Sequence, residues 1–515
     1  GADGRLRPSI WPVNQVDPQR LGLPTHLRAS ETVLKERRQT RPWLPPIHRG
    51  ARAADKVGGD GPLPDLTGTG QILFVLVDFE AAAHPEAIAT REEFVDQFFS
   101  SGTYPTGSMR DYFEEVSYGQ WSIGGDVIDW VTAPEPYAYY CDGVQGQGSY
   151  PRNSQGLVVD ICQAIDPQVD FSQFDGDGDG EIDGLVLVFE GTADGSQNQF
   201  WPHAWALGGQ ALTLDGILIN RYALTNEQEN PGHRETIGVF CHEYGHVLGA
   251  PDLYDYDAGS IEQWDHDNYP VSGWCLMAAG NHAFGADGIS GSGPAHPCAY
   301  VKSEFYGWLE PQVLTVSGTY SLDAIETSAT AYELRLDGAT DAEFFLVENR
   351  CAESGGLFDK RGLSNQVLDS GLLVMHIDHD LDYDHGYRYN NGTPDASHYR
   401  VWVEDAGQPN DLGVWPYLRK HDATYSAEDG HDRFTPSSRP YDSSFQDGTP
   451  SGIALREISD SGTTMSVSIE LGHDEAAANI VHVTGGLYLD GDGRGDGYYV
   501  WDRPAASASG YLTQV

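Results

Sequence analysis

In FCHEYGHVLGAPDLYD, residues 240–255, two histidines stand four apart, a glutamate follows the first, and a glycine and an aspartate come at short steps after the second. On a helix, residues i and i+4 project from one face a turn apart, so His242 and His246 can aim two ring nitrogens at one point. Val239, His242, His246 and Gly249 fall on that same stripe. Zn²⁺ accepts neutral imidazole and, in a catalytic site, takes three protein ligands and leaves a fourth position to water. Glu243 sits where its carboxylate can take a proton from that water and later deliver it to a leaving amine.

A third ligand has to come from beyond the helix, whose axis carries the chain away from the metal. Gly249 tolerates the left-handed conformation that ends helices, and Pro251 prevents renewed winding. Asp252 can then return beneath the ion as the third ligand. Glu304, in YVKSEFYGW, is the rival: a glutamate on a later helix could complete the site instead.

The pattern HExxHxxGxx with a methionine downstream resembles the metzincin zinc endopeptidases. VSGWCLMAAG, residues 271–280, is similar to their methionine turn and implies that Met277 forms an apolar floor under the metal. The aspartate variant, followed by LYD and GWCLMAAG, resembles the immune inhibitor A family of secreted bacterial metallopeptidases. GSMRDYFEEVSYGQWSIGGDVIDW (107–130), FFLVENR and GLLVMHID are also similar to that family, so the likeness runs from about Gly70 to Glu470. It implies protein or peptide substrates, hydrolysed by a secreted zinc endopeptidase with Glu243 as general base and acid. Two departures matter. Asp252 stands where a histidine is commoner, so the site holds one more negative charge and acidifies its water less strongly. Ala279 stands two residues after the turn methionine, where several metzincins place a tyrosine, so the group that stabilises the oxyanion lies elsewhere.

A second cation site is legible in FSQFDGDGDGEIDGLVLVF, residues 171–189. Asp175, Asp177, Asp179, Gly180, the Glu181 carbonyl and Asp183 match the first nine positions of an EF-hand-type calcium loop. Position twelve is Val186 rather than a bidentate glutamate, so the loop must borrow a ligand or bind weakly. Carboxylates this dense repel one another unless a cation bridges them, which favours Ca²⁺ over a solvated turn. Asp490, Asp492 and Asp496 form a poorer copy, with Arg494 at its fifth position. The sequon at Asn391 and the RGD within 489–497 carry little information. His376 and Asp378 share a strand face, which cross-strand hydrogen bonding explains better than a metal.

The elements around these residues predict an α+β architecture. QILFVLVDF and GLVLVFEG read as buried strands, and WSIGGDVIDW as a strand pair. REEFVDQFF, GSMRDYFEEV, GLVVDICQAI and ETIGVFCHEYGHVLG carry helical spacing. A zincin or metzincin-like catalytic domain with a mixed sheet and an active-site helix is expected over 61–310. Substrate would lie extended along an edge strand within 184–224. After residue 311 AYELRLD, EFFLVENR, GLLVMHID, YRVWVED and TTMSVSIEL alternate like strands, predicting an all-β, sandwich-like domain over 311–472. Residues 1–60, rich in Pro, Arg and Gly, form an N-terminal arm or pro-segment in which Asp3 or Asp17 could cap the zinc. Residues 473–515 are an Asp/Gly/Ala-rich tail or linker.

The chain of 515 residues carries 77 Asp plus Glu against 30 Lys plus Arg, a formal charge of −47. That excludes nucleic acid or an anionic membrane as the main partner and favours bound cations. No apolar run reaches the length of a membrane span. Without a leader before Gly1 the chain reads as cytosolic or already trimmed. Six well-separated cysteines with no CxxC pair tip the balance to a secreted, extracellular protein with disulfides. Of the fifteen connectivities, Cys241–Cys275, Cys141–Cys162 and Cys298–Cys351 are expected. The rival function is a calcium-dependent extracellular adhesion or carbohydrate-binding protein with a structural zinc, which would leave Glu243 without a task.

Overall fold

ILFVLV offers no polar residue at alternate positions, so a strand built from it has to be covered on both faces. In the computed structural model it is the middle of β1 (Gly68–Asp78), next to the centre of a sheet with layers on either side. The structure describes residues 66–79, 87–193, 195–254, 270–335, 343–363, 365–379, 399–407, 423–438, 442–445 and 450–472. The arm at 1–60, the sequon at Asn391, the acidic copy at 489–497 and the tail from 473 lie outside these residues.

In chain order the first half comprises β1, α1 (Arg91–Phe99), α2 (Met109–Val116), β2 (Trp121–Thr132), α3 (Tyr137–Cys141), α4 (Ser154–Ile165), β3 (Gly184–Thr192), β4 (His203–Ala206), β5 (Leu212–Leu214), β6 (Ile217–Ile219), β7 (Arg221–Asn230), β8 (His233–Arg234) and α5 (Ile237–Val247). The main sheet runs β2-β1-β3-β7-β4, with β8 attached to β7. β2, β1, β3 and β7 are parallel, and β4 is antiparallel to β7 and closes that edge. α1 and α2 begin with capping boxes, Thr90 with Glu93 and Ser108 with Asp111, which satisfy first-turn amides.

Period-two alternation divides the sheet's side chains between two cores. Ile72, Phe74, Leu76, Val186 and Val188 face α1, α2 and α5 through Phe94, Phe98, Phe113, Phe240 and Tyr244. Leu73, Val75, Val77, Leu185 and Leu187 face α4 through Leu157, Ile161 and Cys162. WSIGGDVIDW is one strand rather than the expected pair. Gly124 and Gly125 do not turn; they lie opposite Gln71 and Ile72 in the ladder with β1, where long-range pairing overrides the local turn signal.

The second half forms β9 (Gln312–Leu314), β10 (Gly318–Asp323), β11 (Tyr332–Leu334), β12 (Glu343–Arg350), β13 (Gly371–Asp378), β14 (Val401–Glu404), β15 (Ile453–Arg456) and β16 (Thr464–Leu471). They make a five-stranded sheet, β14-β13-β12-β11-β9, and a three-stranded one, β10-β16-β15. Phe345, Val347, Leu372 and Val374 pack with Leu455, Met465, Val467 and Ile469 in one core between the sheets. The opposite face of β12 and β13 carries Phe344, Leu346, Leu373, Met375 and Ile377 into the same core as α5 and Met277. The residues on either side of position 310 therefore share hydrophobic packing.

Candidate metal centre

Every residue of α5 except the half-buried Val239 is buried, and His242, Glu243 and His246 all lie within it. After Leu248 the chain turns at Gly249, with φ at +107°. The amide of Ala250 donates to Gly245 O at 3.1 Å and that of Gly249 to His246 O at 2.9 Å, closing the helix end. Leu253 N then donates to Met277 O at 2.7 Å, which anchors the chain beside Asp252.

Three acceptor atoms converge. His242 Nε2 and His246 Nε2 are 3.2 Å apart, and Asp252 Oδ1 lies 3.0 Å from the first and 3.3 Å from the second. A tetrahedral zinc with bonds of about 2.0–2.1 Å would hold its ligand atoms roughly 3.3–3.4 Å from one another. The far nitrogens are fixed by carbonyls: His242 Nδ1 donates to Leu276 O and His246 Nδ1 to Ala250 O, each at 2.8 Å. Carbonyls only accept, so each neutral ring keeps its proton on Nδ1 and turns the Nε2 lone pair toward the other two acceptors. Lone pairs facing a carboxylate at these distances repel unless a cation or proton sits between them, so the donor set fits a divalent metal. Glu304 lies on a helical turn, Lys302–Tyr306, and among the described residues it is not in the converging group.

The electrostatics fit the same picture. Burial works against the Asp252 carboxylate, yet the facing imidazoles, His246 foremost, hold it well below the usual range. Burial pushes the His246 ring down, and Asp252 more than offsets this and raises it. A proton and a metal thus compete for one nitrogen. Burial pushes Glu243 up to about 8, with Asp252 adding to the rise and His242 opposing it. Its carboxylate accepts a hydrogen bond from the backbone amide of Ala204 on β4. The general-base candidate is thereby tied to the edge strand.

Met277 lies under this cluster. A Cβ built on Gly245, between the two histidines, would fall 2.7 Å from Met277 Sδ and 2.8 Å from the Tyr306 hydroxyl, which itself donates to Gly245 O. The ring of Tyr254 stands 6.5 Å from that of His242, nearly parallel to it. At the helix C-terminus Arg221 donates to Val247 O at 3.2 Å, placing a cation where carbonyls are exposed.

In the acidic loop, Asp175, Asp177 and Asp183 bring oxygens within 4.8 Å of one another. Asp179 and Glu181 stand outside that group: the Asp179 side chain accepts from Glu181 N at 2.8 Å, and the Glu181 and Asp179 charges act on Arg221. Burial pushes Asp183 up to about 6, opposed by the amides of Gln71 and Gly176 that it accepts and reinforced by Asp177 and Asp175. The Tyr244 hydroxyl donates to Asp183 O at 3.5 Å, linking this loop to α5. His376 bridges Glu343 and Glu404 at 2.9 Å each, hydrogen bonding across three strands.

The expected disulfides are absent: all six cysteines carry free thiols. Cys141 and Cys162 bury separately in the core behind the sheet, and Cys141 points its thiol at Gln197 O. Cys275, expected to pair with Cys241, instead accepts the Cys298 amide on its sulfur at 3.3 Å. Sequence separation could not reveal this, because the approach depends on how the 274–302 segment folds back. Leu276 O, Ala250 O, Ala204 N and Arg221 were also missed. The first three are main-chain groups without a side-chain signature, and Arg221 opens a strand far from the helix it caps.

The donor set, the adjoining buried acid and the methionine floor all lie on this α+β scaffold within a segment that matches a peptidase catalytic domain. Residues 85–308 match the profile described as Immune inhibitor A peptidase M6, catalytic domain, so this segment is similar to that family's catalytic domain. It is 30% identical to immune inhibitor A of Bacillus thuringiensis subsp. alesti over 207 residues, covering 34% of this chain and 29% of that protein. It is 27% identical over 260 residues to the pre-pro-metalloprotease PrtV of two Vibrio cholerae O1 strains, covering 42% of this chain and 28% of theirs. The match spans less than a third of the length of these relatives. Wild-type OgpA from Akkermansia muciniphila aligns over 64% of this chain and 89% of its own at 13% identity, with a TM-score of 0.25. That superposition is too loose to establish a common fold.

Proposed function

We propose that the chain is a secreted zinc endopeptidase in which His242, His246 and Asp252 hold the metal and Glu243 moves the proton. The observation that carries this reading is the convergence of His242 Nε2, His246 Nε2 and Asp252 Oδ1 to within 3.3 Å, with Glu243 buried in the same helix. Zinc, when bound, supplies a Lewis acid that polarises a carbonyl and lowers the pKa of water. The chain's own groups do the rest. Asp252 and the two Nδ1–carbonyl bonds orient the imidazoles. Glu243, raised to about 8 by burial, can take a proton from the attacking water and return it to the departing amine near neutral pH.

Substrate would add to the main sheet at β4, the strand that ends its order and donates through Ala204 to Glu243. Pairing there would give an extended peptide main-chain hydrogen bonds and carry a scissile carbonyl past the acid. This reading takes proteins or peptides as partners. Among the described residues no helix is long and apolar enough to cross a membrane. Secretion rests on the family resemblance, since the disulfides that argued for export are absent. We read 61–310 as the catalytic domain, metzincin-like in its sheet order and antiparallel edge, and 311–472 as a sandwich-like domain packed on it. The acidic loop at 175–183 would take calcium as a brace for β3 and α5, with Asp175, Asp177 and Asp183 as its core.

The test is to incubate the purified chain and Glu243→Ala with casein, with and without a zinc chelator. Cleavage by the wild type alone, abolished by the chelator, supports the enzyme. Zinc bound in both forms and no cleavage by either, with any pro-segment removed, would point to a binding module instead.

A further inference from the structure

We propose that Arg350 is a positioning residue for the metal centre, so that the strands beyond residue 311 are part of the catalytic unit. The inference rests on the metal reading above. Arg350 closes β12, and its guanidinium is fully buried. Nη1 donates to Trp274 O at 3.0 Å and to Glu348 Oε1 at 2.8 Å, and Nη2 donates to Asp359. Nε lies 3.5 Å from Glu326 Oε1, and the guanidinium carbon stands 5.6 Å from the centre of the Trp274 ring.

From Trp274 the backbone leads to the metal ligands in three residues. Leu276 O receives the Nδ1 proton of His242, and Met277 O receives the amide of Leu253, the neighbour of Asp252. The second half of the chain grips the same segment at two more points. Glu348 Oε2 accepts the Ala299 amide at 2.5 Å, and Val403 N donates to Pro270 O at 3.0 Å. The stretch 270–299 that floors the metal is thus held from below by β12 and β14, while its upper side orients two ligands.

Charge accounting argues for a specific role. Arg350 is faced by Glu326, Glu348 and Asp359, and burial with the neighbouring Asp359 pushes Glu326 up to about 8. The fully buried Lys302 lies near these carboxylates, its Nζ donating to the Tyr118 hydroxyl at 2.8 Å and meeting His296 Nδ1 at 3.1 Å, whose ring in turn meets Glu115. Apolar residues would fill this space at lower desolvation cost, and such clusters are best attested where they fix register. A planar fork that satisfies a carbonyl and two carboxylates at once is available to arginine and not to lysine.

The test uses the full chain, with Arg350→Lys, Glu348→Gln and, as a control, His376→Gln, which breaks a buried ion cluster on the face of β13 opposite the core that holds Trp274. Zinc affinity is measured by competition with a chromophoric chelator, and ligand geometry by the visible spectrum of the cobalt-substituted protein. Folded R350K is expected to lose several-fold in zinc affinity, less than the about 10–100-fold typical of groups bonded directly to a metal ligand because it acts through Trp274 O, and to shift the cobalt bands. H376Q should lose stability with both metal readouts unchanged. A folded R350K with zinc affinity within twofold of wild type and an unaltered cobalt spectrum would overturn the proposal. If R350K does not fold, E348Q decides: a several-fold loss supports the role, and an unchanged affinity rejects it. A wild-type chain that binds no zinc overturns the metal reading, and the positioning role with it.

Discussion

Met277 occupies the space that a side chain at Gly245 would need: a Cβ there would come within 2.7 Å of the Met277 sulfur. The contact sits on α5 between the two histidines, so the floor touches the helix where it carries the metal ligands. Helix propensity alone would make Gly245→Ala stabilising by about 1 kcal/mol. Overpacking in a filled core costs about 1–3 kcal/mol and should win. The expected outcome is a lower thermal unfolding midpoint for G245A. A midpoint equal to or above wild type would mean that Met277 does not press on the helix.

The choice of third ligand has a direct readout. Asp252→Asn should weaken zinc binding by more than the 10–100-fold typical of a residue behind the ligands, whereas Glu304→Gln should leave it unchanged. Dialysis against a graded zinc buffer, followed by metal analysis, distinguishes the two. The reverse ranking would return Glu304 to the site.

His376 makes stability depend on pH. Burial opposes its charge, but the Glu343 and Glu404 carboxylates prevail and raise it from 6.5 to about 9. A raised folded-state pKa means the contribution is complete below pH 6.5 and is lost as pH climbs through 9. The difference between wild type and His376→Gln in urea unfolding should shrink across that window, by roughly 3 kcal/mol at most. Equal slopes for the two proteins would show that the histidine is neutral throughout.

Calcium should act as a ligand of the folded state. With Asp175, Asp177 and Asp183 drawn together, millimolar calcium is expected to raise the unfolding midpoint of the wild type and not that of Asp177→Asn. Magnesium at the same concentration serves as the control for ionic strength. A shift shared by both proteins would place the effect outside this loop.

Much of the scaffold was legible because its elements declare themselves locally. β1, β3, α4 and α5, and the strands from β11 to β14 with β16, follow runs whose period or apolarity is intrinsic to the segment. β7 did not. From Thr225 onward RYALTNEQEN is polar throughout, yet Thr225, Asn226, Glu227 and Gln228 are buried in it. Glu227 accepts the amides of Ile88 and Ala89, and Asn226 pairs with Glu235, so distant partners make a polar strand tolerable. The thiols failed for the same reason: which sulfur meets which depends on chain reversals that composition does not encode.

The sequence by itself determined the ligand candidates. Two imidazoles a turn apart, an acid between them, a glycine to reverse the chain and an aspartate to follow are set by helix geometry and backbone conformation, which act over a few residues. Tertiary structure decided what holds those groups still: Leu276 O on His242, 34 residues away, Arg350 under Trp274, 76 residues away, and Ala204 against Glu243. Two of those three contacts use only main-chain atoms on the site-facing side, and every residue carries the same main chain. Only the folded arrangement could show which carbonyls and which amide face the site.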